Sequence, residues 1–180
     1  MWLRRRLRPG NPRAPPCDAV VAFNSLHWID PELRYSKPSE LLQPGGAMVV
    51  GGCMRAQSAG AERFWTDVQA DYRAVGYEGR PPPSPGQIGL RHFPVEARAF
   101  FAEAASLRYP FQVVYSAADY LAILASQSGT RALGEARTAD FLSRVRDRLE
   151  SLRWPQLAVT FVGFLIVGRR TGTGTVASLT

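Results

Sequence analysis

Cys17-Asp18-Ala19-Val20-Val21-Ala22-Phe23-Asn24 is the stretch on which the fold turns. It is short and almost continuously apolar, which predicts a strand buried on both faces, as in a parallel sheet covered by helices. Asn24-Ser25-Leu26-His27-Trp28-Ile29 follows as a loop. Asp30-Pro31-Glu32 then reads as an N-cap, a proline at the first helical position and an acid in the first turn. The helix is predicted to run to about Gln43, kinked or divided at Pro38. Pro44-Gly45-Gly46 is a stop and a turn. Ala47-Met48-Val49-Val50-Gly51-Gly52 is a second short buried strand. Strand, helix, glycine turn and strand in this order make a βαβ unit, which calls for neighbouring parallel strands and a right-handed crossover.

Further along, Phe64, Trp65, Val68, Tyr72 and Val75 share one face of a helix predicted over 61–75. Residues 76–89 carry Pro81-Pro82-Pro83-Ser84-Pro85-Gly86 and read as a surface loop. Pro94-Val95-Glu96 opens another helix, with Phe100 and Phe101 as core anchors. Residues 106–115 form a strand interrupted near Pro110. Ser116-Ala117-Ala118-Asp119 resembles a capping box with Asp in place of Glu, and starts a helix through Tyr120 and Leu124. A helix opening near Thr138 carries Phe141, Leu142, Val145 and Leu149. Leu157 to Val167 closes the fold as a strand.

Composition sets the class. The 180 residues are 46% hydrophobic and 21% charged, values of an ordinary globular protein. The apolar run at 157–167 is too short for a transmembrane helix. The net charge is +7, but Arg4, Arg5, Arg6, Arg8 and Arg13 supply +5 of it within residues 1–16, which hold no acid. The remaining chain is near neutral, which argues against a nucleic-acid partner. Cys17 and Cys53 have neither a disulfide framework nor metal-ligand spacing, so no metal is expected, and both are expected as buried thiols. Three segments follow: a disordered basic leader over 1–16, a folded part over 17–170 and a disordered tail over 171–180. The leader is Arg-rich like a transit segment but lacks Ser and is broken by prolines. A cytoplasmic location is expected, with mitochondrion or plastid as the alternative.

The run from Asp18 to Asp30, with Leu41-Leu42-Gln43-Pro44-Gly45-Gly46 after it, resembles the middle of class I S-adenosylmethionine-dependent methyltransferases. It looks most like the methyltransferase-11-type branch that includes trans-aconitate methyltransferases. Tyr120 to Ser128, Leu133 and the closing apolar strand resemble the C-terminal part of that branch. The resemblance implies an α/β, Rossmann-like methyltransferase fold with an incomplete sheet, made of the C-terminal four strands and their flanking helices. It implies S-adenosyl-L-methionine as cofactor and a small-molecule methyl acceptor. The family's earlier (D/E)xGxGxG turn and its ribose-binding acid have no counterpart here, so a truncated enzyme is expected. The alternative is a non-catalytic remnant that binds a protein partner, or itself, through the uncovered edge of the first strand.

Ligands in open α/β sheets sit beyond the carboxyl ends of the strands. That places Asn24, Ser25 and Leu26 at the cofactor, Trp28 as a wall for the acceptor, and His27 as a candidate base. Trp28 and Leu26 equally suit packing on the next helix. Trp65, Tyr72, Tyr77, His92 and Phe93 flank the Pro-rich loop and could shape an acceptor pocket, with Trp65 the residue singled out; aromatic residues at helical spacing are more usually core. Methyl transfer from a sulfonium needs alignment and removal of water more than a strong base, so no triad is expected.

Overall fold

The computed structural model describes residues 16–77, 80–151 and 156–171. The leader over 1–16, apart from Pro16, and the tail beyond Thr171 lie outside these. The strands are β1 (Cys17–Phe23), β2 (Leu42–Ala56), β3 (Phe101–Ser116) and β4 (Gln156–Arg170). The α-helices are α1 (Ser36–Leu41), α2 (Glu62–Ala74), α3 (Ala117–Ser126), α4 (Ser128–Ala132) and α5 (Glu135–Ser151). The sheet order is β1-β2-β4-β3. The described chain forms two compact units. Unit 1 comprises 16–53, 89–109 and 163–171; unit 2 comprises 54–77, 80–88, 110–151 and 156–162.

In unit 1, β1 and β2 are parallel neighbours, paired from Ala19 with Ala47 to Phe23 with Gly51. This matches the expected βαβ pairing. The helical segment between them is shorter than expected. Asp30 caps a turn, its Oδ1 accepting from the Glu32 N–H at 3.1 Å, and only Ser36–Leu41 is α-helical. Pro38 lacks the N–H that would continue the ladder back to Arg34. The expected Pro44-Gly45-Gly46 turn lies inside β2 as a bulge. Between the Cys17–Leu42 and Ala19–Ala47 pairs, β2 spends extra residues, and Gly45 takes φ +75°. Gly45 O accepts from Arg169, Leu42 O accepts from Arg170, and a Cβ on Gly52 would meet Phe164. Successive β2 residues thus face earlier and earlier β4 residues, so β4 runs antiparallel to β2.

Four expectations are corrected here. β1 is not buried on both faces: Val21 is 67% and Phe23 59% exposed. It is the edge strand of the described sheet, so only Val20 and Cys17 reach the core of Tyr35, Leu42, Met48, Phe93, Phe101 and Ile166. Cys17 and Cys53 are half-buried rather than buried, Cys17 because it lies on this edge strand. The helix expected at Pro94 is a 3-10 turn, Val95–Ala99, with Phe101 buried beyond it as the first residue of β3. Pro110 does not interrupt β3, because an edge strand tolerates a missing N–H.

Unit 2 has its own core. Phe64, Trp65 and Val68 of α2 pack with Tyr120 and Leu124 of α3, Phe141, Val145 and Leu149 of α5, and Leu157 and Val159 of β4. Phe64 and Trp65 meet Tyr120 edge-on, with ring centroids 5.9 and 6.3 Å apart. α3 starts as expected: the Ser116 hydroxyl accepts from the Asp119 N–H and donates to the Asp119 carboxylate. α5 opens three residues before Thr138, after Gly134 at φ +82°. Arg148 of α5 grips the nearly buried Asp71 of α2 with two parallel hydrogen bonds, the Nη2 contact being 2.9 Å. Among the described residues no helix is long and apolar enough to cross a membrane.

The exposure of β1 has a direct test. Val21→Lys is expected to change unfolding free energy by no more than about 1 kcal/mol, the spread of strand propensity at an open site. Chemical denaturation checks this; a loss of several kcal/mol would mean that the strand is covered in solution.

Candidate functional site

In unit 1 a cleft of about 450 Å³ opens beyond the carboxyl end of β1. Asn24, Ser25, Leu26 and His27 line it, as do Arg34, Tyr35, Arg91, His92, Phe93 and Phe164. Four of the six residues expected at a site therefore come together. Trp28 does not line this cleft; it is 45% exposed, with its ring 4.7 Å from that of His27. Trp65 lies in unit 2, where it is both core and pocket wall.

The chain turns into this cleft at Asn24, which takes φ +49°, a left-handed conformation that asparagine tolerates better than most residues. Its N–H donates to Gly51 O at 2.9 Å, and its Oδ1 accepts from the Cys53 N–H at 3.2 Å. The amide thus clasps the loop to β2. The clasp needs a bare backbone opposite it: a Cβ on Gly52 would lie 2.4 Å from Asn24 Oδ1 and 2.8 Å from Phe164 Cζ. On Gly51, a Cβ would lie 2.6 Å from the Phe23 ring. Ser25 and Leu26 then form a 3-10 turn with His27 and Trp28, closed by Trp28 N–H to Ser25 O.

Sequence reasoning had no route to the cations of this cleft. Arg34 Nη2 donates to Ile29 O at 3.1 Å, while its Nε is buried without a partner. Arg91 stacks over Phe164, 5.1 Å from the ring centroid. Tyr35 packs edge-on against Phe93, and burial pushes its hydroxyl pKa up, with Arg34 opposing in smaller measure. The lining holds two arginines, two histidines and no carboxylate. Glu103 of β3 stands behind the lining and fixes its far wall. Its carboxylate meets His92 Nδ1 at 2.7 Å and accepts from the Phe93 N–H at 2.9 Å. The His92 bond first, then the Phe93 bond, hold the Glu103 pKa below the usual carboxylate range.

Unit 2 carries a separate pocket of about 420 Å³, bounded by Arg55, Trp65, Tyr72, Tyr77 and Pro82 among others. Trp65, Tyr72 and Tyr77, expected near the Pro-rich loop, gather here; His92 and Phe93 belong to the unit 1 cleft. Arg55 was missed. Its one sequence signal is an arginine ending an apolar strand with no acid following until Glu62. Among the described residues no group of three or more His, Cys, Asp or Glu side chains could hold a metal ion.

The fold is like that of a solved structure of a proposed methyltransferase. A proposed type II methyltransferase from Anaeromyxobacter dehalogenans matches with a TM-score of 0.57 at 17% identity, over 86% of this chain and 65% of that one. A proposed methyltransferase from Bacillus halodurans is 11% identical, over 84% and 68% of the two chains, with a TM-score of 0.40. The chain therefore spans less than two thirds of the length of the first of these. At such identity the likeness shows the fold: α/β and Rossmann-like, with an incomplete sheet. The sequence matches no protein-family model and no curated protein.

Two outcomes follow for the site. Gly52→Ala is expected to cost about 1–3 kcal/mol, because its methyl must displace Asn24 or Phe164; thermal unfolding measures this. Glu103→Gln is expected to lower stability by about 1 kcal/mol at neutral pH. Since the folded pKa of Glu103 is depressed, that contribution is complete above its unfolded pKa and disappears as pH falls through the folded value. Denaturation of both proteins across the acid range should show the gap closing there; a gap that stays constant to the lowest pH would contradict it.

Proposed function

We propose that this chain is the C-terminal portion of a cytoplasmic S-adenosylmethionine-dependent methyltransferase acting on a small molecule. The observation that carries the reading is the cleft beyond β1, where Asn24, Ser25, Leu26 and His27 converge beside Gly51. The order of sequence motifs from Asp18 to Gly46 supports it, and so does the likeness of fold. Ordinary composition and two unpaired cysteines suit a reducing compartment.

The described residues do not fit the whole cofactor. The cleft offers no carboxylate for ribose hydroxyls and no glycine-rich turn against which a nucleoside could lie. What it offers is cationic and aromatic. Arg34, with its unpaired Nε, suits a carboxylate such as that of a methionyl group. Phe93, Phe164 and Tyr35 keep water from the inner wall. We assign proton removal from the acceptor to His27, whose exposed ring stands at the mouth. Trp28, packed on that ring, steadies it and reaches the acceptor from outside the cleft. Nothing in unit 2 is needed for this assignment.

Backbone amide resonances provide the test. Millimolar S-adenosylmethionine is expected to shift Ser25, Leu26, His27 and Gly51 with an apparent Kd weaker than on the order of 100 μM, and Arg34→Ala to reduce the shifts. Silence at these four positions would remove the cofactor assignment. A single site of micromolar affinity on the isolated chain would overturn the view that the main cofactor contacts lie elsewhere.

A further inference from the structure

We propose that unit 2 holds a second ligand site, independent of the cleft beyond β1, that binds a small flat monocarboxylate with its carboxylate on Arg55. Arg55 is the penultimate residue of β2, and its guanidinium stands over two rings, 5.3 Å from the centroid of Trp65 and 5.7 Å from that of Tyr120. Its Nε is buried without a partner among the described residues, and its Nη1 donates to the Tyr72 hydroxyl at 3.5 Å. Burial works against the charge of this group, but Tyr120, Tyr72 and Tyr115 outweigh it and its pKa is raised; these tyrosines face it, with no carboxylate among the described residues. Stacking on aromatic faces attracts a guanidinium, but it does not satisfy the N–H donors. A buried cation normally has an acid beside it, as Arg148 has Asp71 in this same unit. Arg55 has none.

Two more donors share the deficit. Trp65 Nε1 and Tyr120 Oη are buried without partners, and both side chains are almost wholly enclosed. The orphan groups are thus an arginine N–H, an indole N–H and a phenol, all on the cation or the two rings beneath it. Arg55 and Trp65 also line the adjoining pocket, so their two N–H groups are a donor set for an anion there; Tyr120 does not line it. The adjoining pocket has room for a small organic molecule at about 420 Å³. Its walls select shape. Trp65, Tyr72, Tyr77 and Pro82 present flat apolar surface, and Tyr72 and Tyr77 meet edge-on with centroids 6.0 Å apart. Gly129 leaves room for the Tyr77 hydroxyl, which would lie 2.8 Å from a Cβ at that position. Gln69, Gln127 and Thr130 add polar groups at the margin, and Arg80 is an exposed rim cation. One buried cation matches one negative charge. A phosphate dianion would leave a charge unmatched at depth and would not fill the aromatic walls.

The full chain labelled with nitrogen-15 is titrated with sodium benzoate, its neutral isostere benzamide and inorganic phosphate. The Trp65 indole and Arg55 Nε–H resonances are followed. Benzoate is expected to shift both saturably, with benzamide at least about tenfold weaker and phosphate without effect. Arg55→Gln should abolish the response while its circular dichroism stays that of the wild type, and Arg55→Lys should retain part of it. Should Arg55→Gln fail to fold, Tyr77→Ala carries the test, since it removes a wall at the pocket mouth and should weaken benzoate several-fold. The proposal is overturned by no shift at about 20 mM benzoate, by equal binding of benzamide, or by equal binding of phosphate. Binding that emerges only in Glu78→Gln would overturn it as well, since a carboxylate of the chain itself would then be the partner of Arg55. No arm uses S-adenosylmethionine or a residue of the unit 1 cleft, so this result stands apart from the cofactor experiment.

Discussion

Two missing side chains, at Gly51 and Gly52, govern the arrangement of unit 1. Close packing leaves no slack for even one methyl group at such a contact. With no Cβ at these positions, Phe23 can lie over Gly51, and the Asn24 amide can reach the Cys53 N–H past Gly52. That reach holds Asn24 in its left-handed turn and sends Ser25, Leu26 and His27 away from the strand. The same bare stretch admits the Phe164 ring from β4, and on that ring Arg91 rests. The cleft thus follows from backbone approach at one point on β2, before any of its polar side chains contributes.

Unit 2 solves a different problem. Its core is aromatic, and aromatic side chains bring apolar area together with polar atoms that need partners. Asp71 and Arg148 meet that demand for each other by a two-pronged ion pair between α2 and α5. Arg55, Trp65 and Tyr120 do not; their faces pack well while Arg55 Nε, Trp65 Nε1 and Tyr120 Oη stay unpaired among the described residues. Stability alone gives no reason to keep such a group, because apolar replacement of a buried charge is often neutral or favourable. A ligand gives one.

Much of the architecture was legible because it depends on short-range patterning. The β1–β2 pairing came from two apolar runs around a capped, proline-started turn. The faces of α2 and α5 came from helical spacing, and the Ser116–Asp119 cap from local hydrogen-bonding capacity. The errors share a cause. A run such as Ala19 to Phe23 has no feature that distinguishes a strand covered on both sides from one at an edge; coverage is a property of what lies beside it. The Pro44-Gly45-Gly46 turn was read correctly as a break in regular backbone, but whether a break ends a strand or bulges it depends on the partner strand. Pro110 was read as an interruption because its tolerance depends on β3 being an edge.

Local chemistry in the sequence determined the α/β class, the loop after β1 and the four residues, Asn24 to His27, that line the cleft. These follow from the residues' own propensities and from the rule that loops after strands face the ligand end of such sheets. The tertiary structure decided which charges have partners. Arg34 and Arg55 look alike in the sequence to Arg148, yet Arg148 meets Asp71 from 77 residues away while the other two keep an unpaired Nε. Charge pairing acts over a few ångströms of space, and the distance along the chain between two groups says nothing about it until the fold has closed.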